Sequence, residues 1–232
     1  MAIRDGLPHA EEIRNIVLAD AVLIVAFAST IAGGIFSLGS GGNFFATFVS
    51  FLPISAMAVT LSFVLHELMH KFTAQHYGAA AAFRTSQNGL IITLLTGAFG
   101  FLIGIPGATW IFTNSFTKRQ NGIVSLAGPL TNFVVFGVFI GLLFLLNPPA
   151  QSYLHTALQF TLFISILLAF FNMLPVYPLD GSKVLAWSKP IYAVTMAAIF
   201  VLMVYFTAIP LYNIVILFVL AILFSTFYRF AL

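Results

Sequence analysis

The chain has 232 residues, 61% of them hydrophobic and only 6% charged, with a mean hydropathy of +1.07. Nine Lys/Arg and six Asp/Glu are too few to cover a water-soluble surface, where about 25% charged residues is usual, and 27 Phe exclude disorder. A net charge of +3 spread this thinly gives no case for nucleic acid and fits the loops of an integral protein of the lipid bilayer, while zero Cys excludes disulfides and thiolate chemistry.

Residues 1–15 mix both signs and lack the basic start and small-residue cleavage site of a secretory signal. The first apolar run, 16–38, is therefore expected to persist as a span. Further runs cover 54–77, 90–112, 121–146, 152–174, 190–207 and 209–230. The third is unlike the rest. It carries Gly97, Gly100, Gly104, Pro106 and Gly107 with Thr93, Thr96 and Thr109 between them, poor helix material that predicts turns and short strands.

Charge placement orders these runs. Arg4 and Arg14 precede the first, Lys71 and Arg84 lie at or past the end of the second, and Lys118 and Arg119 precede 121–146. Lys183 and Lys189 follow 174, and Arg229 ends the chain. With every Lys/Arg cytoplasmic, six spans alternate without violation and both termini face the cytoplasm. The 90–112 run then starts and finishes on that side, which leaves a membrane-dipping hairpin or re-entrant segment. The expected fold is an all-α polytopic membrane protein, 1–232 forming one domain. It has six transmembrane helices and a short membrane-embedded β or re-entrant segment between the second and third spans.

An ionisable group at membrane depth costs several kcal/mol in hydrocarbon, so each is a functional candidate. His66, Glu67, His70 and Asp180 qualify. The first three form H-E-L-M-H, which places two imidazoles one turn apart on one helix face, able to grip one cation. Glu67 is turned by about 100° and can reach a metal-held water without being a ligand. With five His and three Glu in the chain, composition alone produces such a match with a probability of about 0.1–0.2%. Asp180 is the only other carboxylate beyond residue 20. Pro175 and Pro178 hold its stretch out of helix and Gly181 permits a reversal, so this carboxylate can meet the His pair as a third ligand. A solvated loop acid or helix cap is the plain alternative.

H-E-L-M-H followed by Ala74 and Gly78, with N-x-x-P-x-x-P-L-D-G from Asn172 to Gly181, resembles the site-2 protease family of intramembrane zinc metalloproteases. Ala127-Gly128-Pro129 is similar to a family feature, and the resemblance covers about 54 to 190. It implies one zinc ion on His66, His70 and Asp180, Glu67 as general base and acid, and Asn172 positioning substrate or stabilising the oxyanion. A helix C-terminal cap is an equally good reading of Asn172. The resemblance also implies membrane-embedded strands in 90–112 that hold substrate, with Gly97, Gly100 and Gly104 as candidate contacts, although a plain packing element fits composition equally well. Met69 and Ser182 stand where many members have Gly, and neither supplies a ligand. The implied partner is a membrane protein cut within or near a transmembrane helix, in regulated signalling. The competing readings are a metal permease with broken helices, and a catalytically silent relative that keeps the metal.

Overall fold

A computed structural model of the chain describes residues 9–39, 43–113, 115–207 and 219. Five helices there are long and apolar enough to cross a membrane: His9–Ile31, Phe44–His76, Lys118–Leu146, Tyr153–Asn172 and Lys189–Phe206. The sixth expected span, 209–230, lies outside the described residues except for position 219.

The first helix, α1 (His9–Ile31), starts seven residues ahead of the expected run at 16. Glu11 and Glu12 suit its first turn, where unpaired N–H groups favour negative charge. The second span also starts early, at Phe44 rather than 54, because Pro53 is accommodated inside α2 (Phe44–Val59). A single π-turn, Thr60–Val64, joins α2 to α3 (Leu65–His76). This turn is a junction for three neighbours. The Thr60 hydroxyl donates to Asp20 of α1 at 2.7 Å, the Ser62 hydroxyl meets that of Ser165 at 2.7 Å, and the Ser62 carbonyl accepts from the Asn132 amide at 2.8 Å.

The segment after α3 departs from expectation. It forms β1 (Ala80–Thr85), α4 (Gln87–Ala98) and β2 (Gly107–Phe112), so the first part of 90–112 is helix rather than strand. Packing overrides propensity here. Ser86 caps α4 by accepting from the Gly89 N–H, and the Thr93 and Thr96 hydroxyls bond back to the Gly89 and Ile92 carbonyls. Gly97 lets the helix press on α1, where a Cβ would lie 2.7 Å from Ala26. At roughly 18 Å, α4 is too short to cross a bilayer. The strands pair antiparallel, with Phe83 opposite Thr109.

Helix α5 (Lys118–Leu146) runs through the middle, against α3, α6 (Tyr153–Asn172) and the short α7 (Asp180–Trp187). Phe136, Ile166, Phe170, Met173 and Val184 form the main core with Ile199 and Met203 of α8 (Lys189–Thr207). A second core of Ala19, Leu23, Val59, Phe63 and Phe83 fixes β1 and α1 beside the π-turn.

Candidate metal centre

One helical turn separates His66 from His70, and both imidazoles are buried. Each ring is held at its Nδ1. His70 Nδ1 lies 2.8 Å from the Val124 carbonyl, which can only accept, so that nitrogen carries the proton. The Asn132 amide N–H is committed to the Ser62 carbonyl, which turns its Oδ1 towards His66 Nδ1 and fixes that proton as well. Both Nε2 atoms are left as lone pairs, 3.0 Å apart.

Asp180 completes the group. Its Oδ2 stands 3.4 Å from His66 Nε2 and 3.0 Å from His70 Nε2. Asp180 opens α7, and Gly181 lets that helix abut the preceding loop, since a Cβ there would lie 2.1 Å from the Met173 carbonyl oxygen. The role of Gly181 is thus close approach within a helical turn, not the reversal expected from its lack of a side chain. Positive charge is required between these three acceptors. One proton cannot bridge all three atoms. A metal ion can, since tetrahedral ligands at about 2.05 Å lie about 3.3 Å apart, close to the separations present. Gly128 keeps the space before the imidazoles open, because a Cβ at that position would sit 2.4 Å from His70 Nε2 and 2.6 Å from His66 Nε2. The donor set and the space fit a metal.

Glu67, one residue from His66, is half-buried, and its Oε2 accepts from the Thr109 N–H and hydroxyl, each at 2.8 Å. Asn172 ends α6 and donates its amide to the Leu168 carbonyl of its own helix at 3.0 Å. The candidate substrate glycines divide differently. Gly97 and Gly100 pack at α1 and the Gly33 turn, Gly104 lies beside Leu23, and none of the three belongs to β2.

Several residues around the cluster were not singled out by their chemistry in sequence: Val124, Gly128 and Asn132 of α5, and Thr109 of β2. The first three recur every four residues on one face of α5, with Asn132 fully buried among apolar neighbours. That spacing, with an amide in mid-span, is the signal that could have found them. Lys71 was read as a charge flanking the second run, and Glu12 only as one of the mixed charges of residues 1–15. They form a buried ion pair at 2.6 Å, and Glu12 also accepts from the Phe83 N–H at 3.2 Å.

Residues 147–204 match the model of peptidase family M50. The chain is 42% identical, over 61% of its length and 73% of the relative's, to a provisionally named zinc metalloprotease of Methanocaldococcus jannaschii. It is 28% identical to one of Mycolicibacterium smegmatis, over 73% of this chain and 70% of that protein. A third, from Bacillus subtilis, is 27% identical over 59% and 69% respectively. No solved structure matches the chain. The reach of the first likeness, over more than two thirds of that relative, makes this chain a member of peptidase family M50, the site-2 proteases, and a membrane metalloprotease.

Proposed function

We propose that this protein is an intramembrane zinc endopeptidase, hydrolysing a peptide bond within or near a transmembrane helix of a membrane-protein substrate. The observation that carries this reading is the convergence of His66 Nε2, His70 Nε2 and Asp180 Oδ2, beside a half-buried Glu67, on apolar helices. His66, His70 and Asp180 would hold zinc. When bound, the ion supplies Lewis acidity that acidifies water and polarises a peptide carbonyl.

The remaining chemistry belongs to the side chains. Glu67 takes a proton from water and later gives it to the leaving amine. The Asn172 amide, with one N–H beyond its bond to Leu168, is the candidate donor to the oxyanion. The scissile segment must leave its helix, because helical backbone withholds its carbonyls. An extended segment that pairs its backbone with a strand of the 90–112 segment recovers hydrogen bonds where water is scarce, the Thr109 N–H itself being committed to Glu67. The positive charges favour cytoplasmic termini, a re-entrant 90–112 segment and a site reached from the cytoplasmic side.

The test is zinc content of the purified full chain beside His70→Ala and Asp180→Ala, followed by cleavage of a membrane-helix substrate. About one zinc per chain, lost in both variants together with cleavage, is expected. Zinc retained in Asp180→Ala removes that ligand, and zinc-loaded chain without cleavage overturns the protease reading.

A further inference from the structure

Among the described residues, the Glu67 side chain hydrogen-bonds one partner, Thr109. The Thr109 N–H donates to Oε2 at 2.8 Å. Its hydroxyl stands 2.8 Å from the same oxygen and 3.1 Å from the Glu67 main-chain carbonyl. One hydroxyl proton serves one of these acceptors at a time, and either choice ties β2 to the turn of α3 that carries Glu67. Oε1 has no partner among the described residues.

Sheet register explains why a strand residue reaches this carboxylate. Phe83 and Thr109 are directly opposite, and the Phe83 N–H leaves the sheet for Glu12. They are therefore a non-hydrogen-bonded pair, whose N–H groups point away from the partner strand. The Thr109 N–H must then point outward from β2, towards α3. A glutamate in a half-open site has three torsions to wander through. The Thr109 N–H, joined by the hydroxyl when its proton serves the nearer acceptor Oε2, holds it to one arrangement.

We infer that Thr109 is the positioning residue of the general base, its two donors fixing Oε2 so that Oε1 is presented to the water at the His66–His70–Asp180 group. This rests on the reading of Glu67 as the base. The backbone donor is common to every residue but proline, so the hydroxyl is what this position adds.

The experiment follows steady-state cleavage of a single-helix membrane substrate by the zinc-loaded full chain in detergent, with zinc content measured for each variant. Thr109→Val is expected to lower kcat about tenfold with KM within about twofold, and Thr109→Ser to restore most of kcat. In a chain already carrying Glu67→Gln, Thr109→Val should produce no further loss. Zinc per chain should stay the same throughout. Wild-type kcat in Thr109→Val overturns the inference. So does a change confined to KM, a failure of serine to rescue, or loss of zinc, each of which marks a merely structural or substrate-binding threonine. If Glu67→Gln alone turns over at the wild-type rate, the assignment of the base falls first, and this inference with it.

Discussion

Phe83 on β1 and Thr109 on β2 stand opposite one another, and each sends its N–H outward to a glutamate on a neighbouring helix. On the β1 side, Glu12 is 3% exposed and both its oxygens are engaged, Oε1 by Phe83 and Oε2 by Lys71. On the β2 side, Glu67 is half-buried, has one oxygen without a protein partner among the described residues, and neighbours the His66–His70–Asp180 group. The same residue type docks on the same ribbon in the same manner. What separates the structural carboxylate from the one proposed as the base is unused hydrogen-bonding capacity next to the His66–His70–Asp180 group.

Glu→Gln on each side should therefore fail in opposite ways. Glu67→Gln is expected to cut cleavage by at least about 100-fold while zinc content and unfolding midpoint stay near wild type, read by turnover, metal analysis and denaturation together. Wild-type turnover there would break the comparison outright. Glu12→Gln removes the partner of a buried ammonium and is expected to cost about 3–5 kcal/mol of stability. Per folded molecule its turnover should stay close to normal. Adding Lys71→Met should recover part of that stability, since it removes the buried ammonium that the first change leaves without a counter-charge. The smallest effect tests whether the metal side is independent of the ribbon. Asn132→Ala leaves both glutamates untouched but frees the His66 ring, and should weaken zinc about 10- to 100-fold in a competition with a chelator of known affinity.

Local signals were legible in the chain and distant ones were not. H-E-L-M-H announces itself because helix spacing puts its two imidazoles together, and Asp180 stood out as a rare carboxylate. The apolar spans followed from composition. Their starts did not: α1 already includes Glu12, which pairs with Lys71 59 positions along the chain, and no window of sequence contains both. Helix α4 was hidden by its own glycines and threonines, which make sense only once Gly97 lies on Ala26 and the hydroxyls have found carbonyls. The role of Asn132 was within reach, given its place four residues beyond Gly128 on the face that meets the histidines. Thr109 required the register of two strands, which only pairing fixes.

The π-turn at Thr60–Val64 bears on how this chain tolerates change in length. A turn closed one residue wider than an α-turn amounts to one extra residue threaded into an otherwise continuous helix. Removing a residue there would let α2 and α3 join as regular helix while each kept the face it now presents. Hydropathy would not register the loss, and neither would the H-E-L-M-H spacing. What would shift is the Ser62 carbonyl that accepts from Asn132, and with it the anchor that turns the Asn132 oxygen towards His66. A single deletion ten residues or fewer upstream of the histidines could thus silence the centre in a chain whose motifs all read as intact.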